Sequence, residues 1–305
     1  MNHDLNDTTP TGDAPGADRT GPRRAVVLGG GGVAGIAWET GLVTGLLQQG
    51  IDLRRADVVV GTSAGSVVGT GLRAGSLDTT YEALLAEDDA DAPPPVDAGD
   101  RDLTRTMKVI MDGFASTEGE TAARRTIGEL ALEDYQRSDD KESLARIRPL
   151  LAEPEWPEGE LRITAVDAEN GHFTVFDRDS DAELVRAVAA SCAVPGVFKP
   201  VTIDGRPYMD GGMRSATNAD VAADCEVILV IACSVEAPVS GLGPTLPGTI
   251  DTLRGRSDVF VVQADEESTA AFGPNTLLLG TRKASAEAGR RQAAAVADAV
   301  RAFWA

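Results

Sequence analysis

The chain has 305 residues, 42% of them apolar, which is enough for one large α/β domain with a buried core. Aromatics are only 4%, so that core must be built from Ala, Val, Leu and Ile. A net charge of −20 argues against a nucleic-acid partner, which needs Lys and Arg against phosphate, and against attraction to anionic membranes, while an interface with neutral lipid stays open.

Residues 1–22, rich in Asp, Thr, Gly and Pro, read as a disordered tail without the apolar stretch of a secretory signal. No apolar run approaches the ~20 residues that span a bilayer, so a cytoplasmic protein is expected. Order begins at "RRAVVLGGGG", where a buried strand runs into glycines. "AWETGLVTGLLQQG" reads as a helix stopped near Gly50, "ADVVVG" as a second strand and "AGSVVGTGLRAG" as a second helix. This alternation predicts a parallel sheet with helices on it.

The acidic, proline-rich residues 87–100 read as an exposed connection, and 101–150 as polar helices; together 87–150 form an expected linker and cap at the sheet edge. "LRITAVDAENGHFTVF" predicts a hairpin turning at Asn170-Gly171, and "PVTIDGRPYMDGG" a second extended pair turning at Asp204-Gly205. Between them lies an Ala/Val-rich helix ending before Pro195. "CEVILVIACSV" and "DVFVVQA" are further strands, and 282–304 is a terminal helix with Val296, Val300 and Phe303 on one stripe. Residues 23–225 are thus expected to hold the site, and 226–305 to complete the same domain. Cys192, Cys225 and Cys233 match neither a disulfide framework nor zinc-ligand spacing.

Three motifs carry candidate chemistry. Gly30, Gly32 and Gly35 fit Gly-x-Gly-x-x-Gly, but a dinucleotide site wants an acid at the end of the second strand. This strand ends in glycine, with Asp52 and Asp57 before it, and no Gly-Lys-Ser/Thr follows to make a phosphate loop. A tight turn does not need four glycines in a row; a backbone that must come close to an anion does. Ser63 lies in "GTSAG" between Gly61 and Gly65, at a strand-to-helix junction. It is either a nucleophile elbow or a tight turn.

A nucleophilic serine needs a base. The two histidines are poorly placed: His3 is in the tail and His172 is beside a hairpin turn. A carboxylate is the remaining candidate. Asp210 in "YMDGGM" reads alone as a turn residue, and beside an elbow serine as a base that a desolvated pocket would have to strengthen.

In this order, "GGGGVAG", "GTSAG" and "DGG", with "AVAASCAVPGVFKPVTIDGRPYMDGG" leading to the last, the sequence resembles the patatin-like phospholipases over about residues 24–220. The resemblance implies a three-layer α/β/α fold with a mostly parallel sheet and a helical cap region. It implies a Ser63–Asp210 dyad with Gly211 and Gly212 after the acid. The amides of Gly31 and Gly32, assisted by Val33, would form the oxyanion hole within the Gly30–Gly35 loop. It implies hydrolysis of phospholipid, lysophospholipid or neutral acylglycerol esters, with no metal or other cofactor, and transient contact with a membrane or lipid-droplet surface. The family commonly has Arg or Lys where this chain has Ala34. That departure points away from a phosphate headgroup, toward a neutral glyceride or simple ester, and with the acidic surface leaves a catalytically silent lipid-binding or regulatory module as the alternative.

Overall fold

The computed structural model describes residues 21–86, 103–133, 135 and 140–305; the predicted tail and acidic connection lie largely outside them. The strands are β1 (Arg24–Leu28), β2 (Val58–Gly61), β3 (Glu160–Asp167), β4 (Phe173–Phe176), β5 (Val201–Ile203), β6 (Arg206–Asp210), β7 (Val227–Ala232) and β8 (Asp258–Gln263). They form one sheet ordered β5-β6-β3-β2-β1-β7-β8, with β4 also on β3. The run from β3 to β8 is parallel, and β4, β5 and β6 add an antiparallel margin. The central strands are buried on both faces, as parallel strands under helices must be, which is why β7 reads "VILVIA" without alternation.

The helices are α1 (Gly32–Gln48), α2 (Ala64–Ala74), α3 (Leu77–Ala86), α4 (Leu103–Phe114), α5 (Glu120–Ala131), α6 (Asp140–Ile147), α7 (Leu184–Ser191), α8 (Leu246–Leu253), α9 (Glu266–Phe272) and α10 (Arg282–Trp304). Successive strand residues point to opposite faces. Val26 and Leu28 join the core under α1, α2, α7 and α10, while Ala25 and Val27 join a second core under α8. On that second side, α5 places Ile127 against Val166 of β3 and Met209 of β6. The result is three layers, α/β/α.

The β5–β6 hairpin turns on Asp204 (φ 47°) and Gly205 (φ 74°), the left-handed pair of a two-residue turn. The β3–β4 turn is wider than Asn-Gly alone predicts. Val166 pairs with Phe173 across a loop, because the Asp167 carboxylate accepts the Glu169 amide and the Asn170 side-chain amide, both at 2.9 Å.

α1 and α10 meet almost backbone to backbone. A Cβ on Gly41 would stand 2.0 Å from the Ala286 carbonyl oxygen, and one on Gly289 would stand 2.1 Å from that of Trp38. Gln292 of α10 accepts the Trp38 indole N–H at 3.2 Å and donates to the Gln263 carbonyl of β8 at 2.6 Å, tying the seam to the sheet. Gly289→Ala should therefore lower stability by ~1–3 kcal/mol, the usual cost of overpacking. Thermal unfolding followed by circular dichroism checks this, and an unchanged melting temperature would contradict the seam.

Candidate active site

Strand register brings the three motifs level. Leu28 pairs with Gly61, and Gly61 with Ile163. Two residues further along each chain stand Gly30, Ser63 and Ala165, and Ala165 pairs with Asp210. All lie beyond the carboxyl ends of β1 and β2. β1 has β2 on one side and β7 on the other, the switch point where open α/β sheets place their sites.

Ser63 occupies a strained elbow, with φ 51° and ψ −114°. A non-glycine residue at positive φ is uncommon and is held only by strong surroundings. A Cβ on Gly61 would meet the Gly65 carbonyl oxygen at 2.6 Å, and one on Gly65 would meet that of Leu28 at 2.1 Å. The Ser63 N–H donates to Ser191 Oγ at 2.8 Å. Its carbonyl accepts Ser66 Oγ at 2.6 Å and the Cys192 thiol at 3.3 Å. With its backbone tied on both sides, Ser63 has its hydroxyl as the free chemical group.

Asp210 ends β6, only 2% exposed. Its N–H donates to the Ala193 carbonyl at 3.0 Å, and its Oδ1 accepts the Gly212 amide at 2.7 Å. Burial pushes the carboxyl up to about 6, while the Ser63 side chain, the Gly212 amide and the Arg146 charge pull it back down. Asp210 thus caps the short turn Gly211–Met213, with the Ser63 hydroxyl near enough to lower its carboxyl.

Asn218 braces this pair and escaped the sequence reading. It sits at φ 47°. Its side-chain amide lies 3.1 Å from Thr62 Oγ1, 3.3 Å from Thr164 Oγ1, 3.1 Å from the Gly211 carbonyl and 2.9 Å from that of Ser215. One side chain joins the elbow, β3 and the turn after Asp210. Two donors shared among four acceptors make a cooperative network.

The glycine loop divides by role. The Gly30 amide is committed to the Ala216 carbonyl at 2.7 Å and that of Gly35 to Gly31 at 2.9 Å, so neither is available to a ligand. A Cβ on Gly30 would make only ordinary contact, 3.5 Å from that of Ser63. The amides of Gly31, Gly32 and Val33 have no acceptor among the described residues, and they open the first turn of α1, where the helix dipole is positive. Cys233 fills the space under the loop, 2.5 Å from where a Gly31 Cβ would be. Its thiol donates to Glu39 at 3.7 Å; burial raises the Glu39 carboxyl well above its ordinary value. Ala34 is fully buried, so the loop offers no cation. His172 is exposed. Among the described residues no group of three or more His, Cys, Asp or Glu is arranged to hold a metal ion, and no helix is long and apolar enough to cross a membrane.

The family model of the patatin-like phospholipases matches residues 26–223, spanning the loop, the elbow and the Asp-Gly-Gly turn. The chain belongs to the patatin-like phospholipase family. An uncharacterised NTE family protein of Mycobacterium tuberculosis is 28% identical over 223 residues, covering 72% of this chain and 51% of that protein. The patatin-like phospholipase domain-containing protein 7 of Rattus norvegicus is 28% identical over 249 residues, covering 75% of this chain and 15% of that one. The chain therefore spans about half or less of the curated relatives it matches. Among solved structures, VipD from Legionella pneumophila aligns at a TM-score of 0.42 and 12% identity, over 92% of this chain and 67% of that one.

Two outcomes follow from the geometry. Asn218→Ala should cut any Ser63-dependent turnover at least ~10-fold while the protein stays folded; steady-state assay with circular dichroism measures both. The Asp210 carboxyl is raised from 3.8 to about 6, so the folded state holds its proton longer than the unfolded state does. Stability from this group is full below about pH 4, falls between about pH 4 and 6, and stays lost above, by on the order of 3 kcal/mol. Asp210→Asn should therefore melt above wild type at pH 8, with the gap closing toward pH 4.

Proposed function

We propose that the chain is a serine acyl hydrolase acting on lipid carboxyl esters: phospholipid, lysophospholipid or neutral acylglycerol. One observation carries the proposal: a strained, backbone-clamped serine, level with a loop bearing unpartnered amides, stands near enough to a buried carboxyl for its hydroxyl to pull that carboxyl down.

Asp210 accepts the proton of Ser63 Oγ as the oxygen attacks the ester carbonyl. Negative charge then develops on the carbonyl oxygen. The amides of Gly31, Gly32 and Val33 stabilise it, and removing one such donor typically costs ~10²–10³ in rate. The tetrahedral intermediate collapses to a Ser63 acyl ester, and the protonated Asp210 returns its proton to the departing alcohol or lysophospholipid. Asp210 next takes a proton from water, which attacks the acyl ester, releases the fatty acid and restores Ser63. An Asp at its ordinary ~3.9 is a weak base. Burial strengthens it toward the working pH, and the Arg146 charge keeps it ionised there.

The decisive test is intact-mass analysis after incubation with a fluorophosphonate. Wild type should gain one adduct, and Ser63→Ala none. Ser63→Ala should also lose at least ~10³-fold in esterase kcat, and Asp210→Asn ~10²–10⁴-fold. An unlabelled wild type would give the silent binding module precedence. Because the base must be ionised, kcat/KM should rise with pH, reach half its plateau near pH 6 and stay flat above. A profile flat from pH 4 to 8 would remove Asp210 from the base role.

A further inference from the structure

Arg146 lies on α6, and the guanidinium carbon sits 3.7 Å over the centroid of the Phe198 ring. Nη2 makes a single long bond, 3.4 Å, to the Cys192 carbonyl, and Nε is buried without an acceptor. Among the described residues no carboxylate closes a salt bridge to it. Other cations around the site are spent: Arg186 of α7 pairs with Asp140 of α6 at 2.5 Å, and Arg214 with Asp220 at 2.7 Å. A guanidinium has five donors and keeps its charge inside proteins. Holding one largely out of water with one weak bond is costly unless an anion joins it.

The place of this charge gives the anion. Cys192, whose carbonyl takes Nη2, donates its thiol to the Ser63 carbonyl at 3.3 Å, and the adjoining Ser191 accepts the Ser63 N–H. The guanidinium is thus one residue away from the nucleophile's backbone, and its charge reaches Asp210. Asp210 already has partners in Ser63 and Gly212. The glycine loop supplies no cation, since Ala34 is buried and apolar.

We infer that Arg146 is a specificity-determining residue that receives the phosphate of an ester substrate, so that phospholipid-class esters are favoured over neutral acylglycerols. The inference rests on the acyl-hydrolase reading above. The planar fork of Arg matches two phosphate oxygens at once, and stacking on Phe198 holds the fork in one plane. In a phospholipid the phosphate lies a few bonds from the scissile carbonyl, so a group beside the Ser63 backbone is near enough to meet it. Phe198 and Cys192 belong to the segment after α7, so the subsite is built from α6 and that segment, away from the glycine loop.

The test compares a lysophospholipid with the monoacylglycerol of the same acyl chain, both below micelle formation, at pH 8, above the value of about 6 to which burial raises the Asp210 carboxyl. The quantity read is the ratio of the two kcat/KM values. Arg146→Gln should lower that ratio ~10–100-fold, mostly through KM for the lysophospholipid, and Arg146→Lys should restore part of it. A ratio equal to wild type in Arg146→Gln overturns the inference, even if both rates fall, because a residue acting only through Asp210 or the fold would slow both substrates alike. A neutral fluorophosphonate monitors the site. If Arg146→Gln no longer takes the label, Arg146→Lys carries the comparison, with a several-fold fall in the ratio expected and no fall decisive against. Micromolar inhibition of monoacylglycerol turnover by inorganic phosphate, lost in Arg146→Gln, would reassign the site to free phosphate and overturn the headgroup. A wild type that hydrolyses neither ester and takes no label fails the hydrolase reading itself, a different result from an unchanged ratio.

Discussion

A single carbon added to Gly65 would stand 2.1 Å from the carbonyl oxygen of Leu28. The contact it marks, the first turn of α2 lying directly on the end of β1, is the one the site depends on. The Gly65 N–H also donates to the Gly29 carbonyl at 3.0 Å. The elbow and the glycine loop are therefore joined backbone to backbone, and the serine's distance from the loop amides does not depend on any rotamer outside Ser63. The positive φ of Ser63 follows from the same contact, because the chain must reverse between β2 and α2 with no room to relax. Such conformations cost of order 1–3 kcal/mol and persist only when overdetermined. Here Ser191, Ser66 and Cys192 hold both polar groups of the Ser63 backbone.

Two buried carboxyls show how partners divide residues of one class. Asp210 receives the Gly212 amide, the Ser63 side chain and the Arg146 charge, and stays within reach of ionisation near neutral pH. Glu39 has only the Cys233 thiol and the Gly29 amide against full burial, which pushes its carboxyl well above the ordinary value. Such a shift favours the uncharged form beneath the loop. A carboxylate under Gly31 would oppose the negative charge that develops above it in acyl transfer.

What was legible in the sequence was local. β-branched runs ending in glycine marked β1 and β2, Asp204-Gly205 marked its turn, and the elbow glycines marked where backbones touch. These features depend on neighbours a few residues away. Asn218 acts on Thr62, 156 residues back in the chain, and Ser191 on Ser63, 128 back, so nothing in their own surroundings announced them. Arg146 looked like one more charge on a polar helix until α6 was seen against α7. The width of the β3–β4 loop was also hidden, because the Asp167 side chain, and not Asn-Gly backbone preference, sets it. For Gly30 and Gly35 the sequence could place the loop, but not show that their amides were already bonded.

Register decides whether Ser63 and Asp210 meet at all. Side chains alternate along a strand, so a slip of one residue between β6 and β3 would turn Asp210 to the opposite face. The Asp204-Gly205 turn fixes β6 against β5, with Thr202 opposite Pro207. Two further features hold β6 on β3. Gly211 packs so closely on β3 that a Cβ would stand 2.4 Å from Thr164 Oγ1, leaving no space for a bulkier residue brought there by a slip. Asn218 then bonds to Thr164 and to the Gly211 carbonyl together, which is possible in one register only. Thr164 and Thr62 share a hydrogen bond of 2.8 Å, carrying the same alignment across to β2 and the elbow. The acid and the serine come from sites 147 positions apart in the sequence, and these small polar contacts along the edge of the sheet fix their meeting together with the apolar core, since a slip would also turn Met209 and Tyr208 out of their clusters.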